Sequence, residues 1–206
     1  LTSVDFGSGL TSIGAYAFYG CTGLTSIDIP DNVTDVAWRA FEGCTGLTSM
    51  VIGTSVASIN VGMSFSNSGL TSVVIREGVT SIGGGAFEGC TGLTNVDLPN
   101  SLISIGNYAF SGCSGLAILD IPDSVTSIGD SALSGCSGLT SVKVPAAMTD
   151  IGRGAFSGLT GITSMVIPDS VTSIGDWAFS GCPDAGQAAA FYGCTGLTSI
   201  DIPDNV

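Results

Sequence analysis

A 23-residue repeat runs through this 206-residue chain and constrains the fold more than any other feature. The consensus unit reads LTSIDIPDSVTSIGDYAFSGCTG, with position 1 at its Leu. Full units begin at Leu1, Leu24, Leu47, Leu70, Leu93, Leu116, Leu139 and Ile162. Positions 1, 4, 6, 10 and 13 are apolar in every full unit, and positions 17 and 18 are usually Ala-Phe. A unit this short cannot bury so many apolar side chains alone, whereas stacked units can, so the sequence predicts a single repeat solenoid over 1–206.

Each unit contains two predicted parallel strands and one turn. In LTSIDI, positions 4 and 6 point inward and position 5 points outward, as a half-buried strand requires. Pro commonly follows and ends the strand, because it has no N–H to donate. VTSI is rich in β-branched residues and predicts a second, shorter strand. GDYAFSGC is too short for a full helix and predicts one helical or 3₁₀ turn bounded by Gly.

The series LxxIxI, Val, Ile, Ala-Phe and Cys over 23 residues resembles the leucine-rich repeats of the BspA type, also called the TpLRR class. The resemblance covers essentially the whole chain. It implies a curved solenoid with a parallel sheet on the concave side. It also implies a protein of microbial surfaces that acts in adhesion or host binding. No catalytic residues belong to the repeat itself, so the resemblance implies a protein that is not an enzyme.

The repeat is broken first in unit 3, where Phe65 comes one position later than expected and Asn67 replaces the Cys. Such a change is typical of drift at a turn.

The second break follows Cys182, where only the last half of a unit is present. We assign a truncated half-unit to 185–196 and a partial unit to 197–206. The column of strands is therefore expected to skip a rung, or the chain to bulge. Residues 191–206 repeat residues 18–33 without change, as unequal recombination between near-identical repeats would produce.

The charge of the chain disfavours several classes of partner. The net charge is −13, from 17 acidic and 4 scattered basic residues. Nucleic acids and anionic lipid surfaces need clustered Lys and Arg, so neither is an expected partner. No apolar run approaches the roughly 18 residues of a membrane span, so no membrane insertion is expected in this segment.

The sequence opens without Met and without a signal segment, and neither end has a polar capping repeat. We therefore expect a mature product or a piece of a longer array. Alternatively, open end rungs pair with another molecule.

The seven cysteines all occupy position 21 and form a column rather than pairs: Cys21, Cys44, Cys90, Cys113, Cys136, Cys182 and Cys194. Side chains in a parallel column point the same way, which is poor geometry for a disulfide. The column is interpreted as a ladder of small buried thiols, and Leu159 in the same slot favours this interpretation.

A candidate binding surface lies at position 5 of the concave column. The residues chosen are Asp28, Val51, Val74, Asp97, Asp120 and Lys143. Lys143 is expected beside Asp120. Carboxylates at positions 5 and 8 could in principle serve glycoside hydrolysis or calcium binding, but both need convergent geometry rather than columns. A solvated face and a binding face for a protein or glycan both remain open.

No catalytic site, metal site or cofactor is predicted. The chain has no His, which excludes Ser/His/Asp and Cys/His triads and leaves a zinc site without suitable spacing. Phosphate-binding glycine motifs are also missing from the sequence. Asn32 begins a glycosylation sequon, which is informative only in a secreted eukaryotic protein.

These features predict a non-catalytic recognition or adhesion protein that is extracellular or on the cell surface and acts through its solenoid faces. The first alternative is a structural protein that assembles head to tail into filaments through open ends. The second is an ice-binding surface, because positions 2 and 11 form columns of Thr. Thr also suits solvent-facing strand positions without any such function.

Overall fold

The chain forms a stack of coils with two columns of parallel strands, in a computed structural model that describes residues 1–59, 65, 68–181 and 199–201. The first column contains β2 (Ser26–Ile29), β4 (Ser49–Ile52), β6 (Ser72–Ile75), β8 (Asn95–Asp97), β10 (Ile118–Leu119), β12 (Ser141–Val142), β14 (Ser164–Val166) and β16 (Ser199–Asp201). The second contains β1 (Ser12–Ile13), β3 (Asp35–Val36), β5 (Ser58–Ile59), β7 (Ser81–Ile82), β9 (Ser104–Ile105), β11 (Ser127–Ile128), β13 (Asp150–Ile151) and β15 (Ser173–Ile174). The predicted solenoid with parallel strands is confirmed.

Neighbouring strands pair in register, one unit apart, as in Ser26 with Ser49 and Ser12 with Asp35. In the first column the hydrogen-bonded groups are β2-β4-β6-β8, β10-β12 and β14-β16. In the second they are β1-β3 and β5-β7-β9-β11-β13-β15. The inward side chains of both columns form one continuous apolar core. No single unit could build this core, which is why the coils are stable only as a stack.

Stacked phenylalanine rings form the centre of this core. Successive ring centroids of Phe18, Phe41, Phe65, Phe87 and Phe110 lie 5.0 to 5.3 Å apart, with interplanar angles of 2° to 19°. Leu133 interrupts the stack, which resumes with Phe156 and Phe179 at 5.5 Å. Phe65 keeps its place in the stack although it comes one position late in the sequence.

The predicted helical or 3₁₀ turn is reduced to single turns closed by 3₁₀-type hydrogen bonds, and no helix forms in the described part of the chain. In unit 5, three amides bond to carbonyls three residues back: Ala109 to Gly106 (3.3 Å), Ser111 to Tyr108 (3.1 Å) and Cys113 to Phe110 (3.1 Å). The amides between them bond to the next coil: Tyr108 to Asp130 (2.9 Å), Phe110 to Ala132 (2.8 Å) and Gly112 to Ser134 (2.7 Å). A helix would need all of these amides for itself, so the inter-coil bonds replace it.

Two unit positions in this turn run have positive φ. Position 20 is always Gly in the described turns, as at Gly112 (φ 74°), where a left-handed backbone favours a residue without Cβ. Position 16 has the same geometry but holds larger residues in most units, such as Tyr108 (φ 59°). Gly46 is required for a different reason, because neighbouring coils approach closely there. A Cβ on Gly46 would lie 2.1 Å from the carbonyl oxygen of Thr22.

The strand column does not skip a rung at the half-unit. β14 pairs directly with β16 across 35 residues, with Met165 opposite Ile200. The expectation of a missing rung is therefore wrong. The alternative expectation of a bulge falls on residues 182–198, which lie outside the described part of the chain.

None of the five described cysteines is in a disulfide. Four of their thiols donate to a Phe carbonyl oxygen of an earlier coil: Cys44 to Phe18 (3.0 Å), Cys90 to Phe65 (3.2 Å), Cys113 to Phe87 (3.1 Å) and Cys136 to Phe110 (3.0 Å). Burial raises the pKa of Cys44, and the hydrogen bond with Cys136 together with burial raises that of Cys113. Cys182 and Cys194 lie outside the described residues.

Replacing Phe110 by Ala should lower the free energy of unfolding by about 3–5 kcal/mol, because it opens a cavity within the ring stack. Urea denaturation followed by circular dichroism measures this loss. Ser111→Ala, one residue away and only half-buried, should change stability by less than about 0.5 kcal/mol. Equal effects of the two substitutions would contradict the role given to the stack.

In the native protein, iodoacetamide should modify Cys113 and Cys136 at least about tenfold more slowly than Cys21. The reason is that burial blocks access to both thiols, and at Cys113 the hydrogen bond with Cys136 and burial also disfavour the thiolate, which is the reactive form. Cys21 in the first coil is partly exposed, whereas Cys113 and Cys136 are fully buried. Peptide mass spectrometry gives the rate at each site, and denatured protein is the control in which all sites should react alike.

Candidate binding surface

The outward side chains of the first strand column, at positions 3 and 5, form a surface that we call the sheet face. The longest hydrogen-bonded part of this surface comes from β2, β4, β6 and β8, which pair in that order. This pairing places Asp28, Val51, Val74 and Asp97 directly opposite one another. Since rungs lie about 4.8 Å apart, the four residues span about 14 Å. Four of the six predicted binding residues therefore form one continuous row.

The row has an apolar centre and acidic ends. Val74 is 39% exposed and Val51 is half-buried, whereas the flanking Asp28 and Asp97 are exposed. The other outward residues of these strands are mostly Ser and Asp. Burying the two adjacent Val side chains against a partner would therefore give the largest hydrophobic gain on this surface. The row thus combines apolar contact area with charges at both ends.

Arg76 anchors one end of the row. It reaches back across one coil, with Nη1 3.0 Å from Asp31 Oδ1 and Nη2 3.6 Å from Asp28 Oδ2. The Thr54 amide and then Arg76 lower the pKa of Asp31. Such exposed ion pairs add little stability, so the main effect of Arg76 is to fix the orientation of the two carboxylates.

The other two predicted binding residues lie beyond an interruption of the hydrogen-bonded ladder between β8 and β10. Asp120 and Lys143 both line a cleft of about 370 Å³, together with Leu98, Asn100 and Asp123. The Lys143 ammonium is 2.7 Å from the Asp123 carboxylate and is paired there rather than with Asp120. The structure therefore places Asp120 and Lys143 beside each other, in a part of the column that is not hydrogen-bonded to β8, the last strand of the row.

The position 8 carboxylates have a structural role that the sequence analysis did not assign. Three of them accept a hydrogen bond from the position 8 amide of the next coil: Asp31 from Thr54 (3.0 Å), Glu77 from Asn100 (2.9 Å) and Asp123 from Ala146 (3.4 Å). The Asn100 amide, followed by that of Ser101, lowers the pKa of Glu77. The signal in the sequence was the recurrence of short polar side chains at this one position.

The apolar surface of the sheet face continues outside the row. Ile118 is 57% exposed and Val166 is 68% exposed. A second cleft of about 390 Å³ lies beside Val166, lined also by Val142, Val144 and Met165. Val166 was not among the binding residues predicted from the sequence.

Most of the described Thr side chains at positions 2 and 11 are hydrogen-bonded to the backbone of the preceding coil. Thr48 Oγ1 donates to Thr25 O (3.1 Å), and Thr71 Oγ1 donates to Thr48 O (2.9 Å). Position 11 repeats the arrangement, for example from Thr34 to the Thr11 carbonyl at 3.1 Å. These hydroxyl hydrogens satisfy carbonyl groups of the preceding coil, so they are not available to order water.

Asn32 also links neighbouring coils by hydrogen bonds. Its side-chain amide donates to the carbonyl oxygens of Ser8 (2.9 Å) and Leu10 in the preceding coil. Attachment of a glycan to this nitrogen would remove at least one of these bonds. The glycosylation site stays a prediction.

Among the described residues, no group of three or more His, Cys, Asp or Glu side chains is placed to hold a metal ion. Within the same part of the chain, no helix has the length and hydropathy needed to cross a membrane. What the sheet face offers chemically is a fixed row of polar, charged and apolar contacts.

Comparison with known families identifies the repeat. Residues 1–63 and 62–185 match the model for the BspA type leucine rich repeat region, in six copies. No curated protein sequence matches the chain.

Several solved structures are similar. A leucine rich cell surface protein from Faecalibacterium prausnitzii is 28% identical, with a TM-score of 0.51 over 100% of this chain and 75% of that one. The leucine rich repeat protein of T. pallidum is 27% identical, with a TM-score of 0.54 over 73% of this chain and 68% of that one. A leucine-rich repeat protein from Eubacterium ventriosum, 19% identical, shares the fold with a TM-score of 0.56 over 98% of this chain and 60% of that one.

Glu77→Gln should lower the melting temperature above about pH 5, because an amide group cannot accept from both the Asn100 and Ser101 amides. The folded pKa of Glu77 is lowered, so its stabilisation is complete above the unfolded value of about 4.3 and is lost as pH falls through the folded value. The difference from the native protein should therefore shrink towards pH 3 in thermal scans.

Asp97→Asn is the matched control for this experiment, because no amide hydrogen bond to the Asp97 carboxylate occurs in the described part of the chain. Its melting temperature should follow that of the native protein at each pH. A Glu77→Gln difference that stays constant from pH 7 to pH 3 would contradict the role of the carboxylate charge.

Proposed function

The chain belongs to the BspA-type leucine-rich repeat family, and from that premise we propose that it binds a protein partner through the sheet face, outside the cell or at its surface. It acts as a non-catalytic recognition protein in adhesion. The observation that carries the proposal is the row of Asp28, Val51, Val74 and Asp97, held in register by the strand ladder.

The composition of the row suits a protein interface. Interfaces place apolar contacts at the centre and polar groups at the rim, and the row has this order along its length. The strands are fixed by inter-coil hydrogen bonds on both sides, so binding would order little backbone. A low ordering cost leaves more of the contact energy for affinity.

The charge of the sheet face favours a basic partner. The row ends in Asp28 and Asp97, and the chain as a whole carries a net charge of −13. Complementary charge accelerates encounter and disfavours acidic competitors. The partner's basic groups would meet Asp97 on one side of the Val pair and, on the other, Asp28, which Arg76 already approaches to 3.6 Å.

The surface location draws support from the similar proteins. The Faecalibacterium prausnitzii structure is described as a cell surface protein and aligns with all of this chain. A broad recognition face is useful where a partner is presented outside the cell. Assembly into filaments through the solenoid ends also stays a prediction, which electron microscopy of concentrated protein can test.

Val74→Lys should reduce adhesion at least about tenfold, because it places a cation at the apolar centre and repels a basic partner. Fluorescent beads coated with the purified chain are counted on fixed animal epithelial cells, before and after trypsin treatment of the cells. Native beads should adhere, adhesion should fall with trypsin, and added salt should weaken it.

The matched control is Val166→Lys, which makes the same change at the same unit position but four coils away, outside the row of Asp28, Val51, Val74 and Asp97 that the proposal makes the binding site. Beads carrying this variant should adhere like native beads. The proposal fails if Val74→Lys and Val166→Lys behave alike, or if native beads do not adhere. Circular dichroism should show unchanged folding for both, since each Val is exposed.

A further inference from the structure

Aromatic side chains are sorted by type between the core and one edge of the coils. In the described part of the chain, every Phe lies in the core or packs against it. Every Tyr and Trp is instead exposed and lies in the turn segment at position 15, 16 or 19: Tyr16, Tyr19, Trp38, Tyr108 and Trp177, each 42–56% exposed. We call this surface the turn edge. It is on the other half of the unit from the sheet face.

The backbone at position 16 disfavours these large residues. Tyr16, Tyr108 and Trp177 have φ of 59°, 59° and 56°. Gly85 and Gly154 occupy the same position in other units, with φ of 64° and 62°. A left-handed backbone is strained for a bulky residue and free of strain for Gly, so the fold does not require an aromatic ring there. Strained residues of this kind are a reason to look for a function.

The rings form a row along the stacking direction. Tyr16 and Tyr108 are four units apart, and Tyr108 and Trp177 are three units apart. With rungs about 4.8 Å apart, these intervals are about 19 Å and 14 Å, and the row is about 34 Å long. A ligand that met all of these rings would have to be extended and lie parallel to the stack.

The rings at the first end form a cluster. Tyr16 lies edge-on to Trp38, with centroids 5.0 Å apart, and to Tyr19 at 5.7 Å. The Arg39 guanidinium covers Trp38 at 4.5 Å, and Arg153 covers Trp177 at 4.7 Å. Both ends of the row thus combine an indole ring with a guanidinium group, which supplies fixed donors next to an apolar ring.

The charge of the turn edge limits the kinds of extended ligand that could bind there. Glu88, Asp130 and Asp176 lie on the turn edge, and the net charge of the chain is −13. An anionic polymer such as a nucleic acid or a uronic acid chain would be repelled. Polar groups lie beside the central ring as well, including Asn107, Ser111 and Ser131. The surface therefore offers flat rings and hydrogen-bonding groups at regular intervals, without a cationic stripe.

We propose that the turn edge binds a linear, uncharged polysaccharide. Sugar rings would lay their C–H faces on Tyr108 and on the parts of Trp38 and Trp177 that the guanidinium groups leave exposed, where the electron-rich aromatic rings attract them. Their hydroxyl groups would bond to the neighbouring Ser, Asn and Arg side chains. This site is separate from the sheet face and does not depend on the protein partner proposed for it.

Affinity electrophoresis tests the proposal with two neutral probes, hydroxyethylcellulose and glucomannan, and with polygalacturonate as the anionic control. The native chain should be retarded by at least one neutral polymer and not by polygalacturonate. The double variant Tyr108→Gly/Trp177→Gly should bind at least tenfold more weakly. Because Gly suits the positive φ at both sites, this variant should keep the native circular dichroism spectrum and melting transition.

Val74→Ala is the control on the sheet face and should be retarded like the native chain. The proposal is overturned if neither neutral polymer retards the native chain, if the double variant binds as well as the native chain, or if polygalacturonate alone retards it. It is also overturned if no polymer binds but the double variant loses bead adhesion to enzymatically deglycosylated cells, since the turn edge would then dock a protein. Loss of adhesion in Val74→Lys leaves this site unaffected, so the two proposals fail separately.

Discussion

The structure depends on hydrogen bonding between neighbouring coils on both sides of each unit. In the strand columns each coil pairs in parallel with the next, and flanking amides add further bonds, as from Thr94 to the Thr71 carbonyl at 2.9 Å. In the turns the earlier coil donates to the later one, as from Phe110 to the Ala132 carbonyl at 2.8 Å. Each coil therefore needs neighbours on both sides to satisfy its buried polar groups. The apolar columns require the same arrangement, so core packing and backbone bonding specify one fold.

The 23-residue period was sufficient to predict the repeat unit, its two strands and its inward-facing positions, because the pattern of buried and exposed residues recurs in every unit. It was insufficient for the turn segment. The pattern around Ala109 and Phe110 fits a short helix equally well, and only the neighbouring coil shows that alternate amides are used elsewhere. The structural role of Glu77 was not predicted for the same reason. Its amide partner, Asn100, is 23 residues away in the next unit, so the bond cannot be inferred from the sequence of one unit.

The candidate surfaces were predictable to different degrees. Position 5 was expected to form a row, and the register of Asp28 with Val51 bears out the geometry on which that expectation depends. The break after β8 was not visible in sequence, and neither was the pairing of the Lys143 charge with Asp123 rather than with its neighbour Asp120. Position 16 was treated as an ordinary turn residue, because a sequence shows that Tyr108 is aromatic but not that its φ is positive.

A solenoid of this kind separates folding from recognition. Inward positions and the short polar residues at position 8 are committed to neighbouring coils, whereas positions 5 and 16 contact solvent and can vary without disturbing the stack. Because each coil contacts only its neighbours, a change at Val74 has little means of reaching Trp177, four coils away. The sheet face and the turn edge can therefore bind different ligands at once, and mutations on one should leave the affinity of the other unchanged. Coupling between them would require the stack to bend, which the direct register of strands and stacked rings opposes.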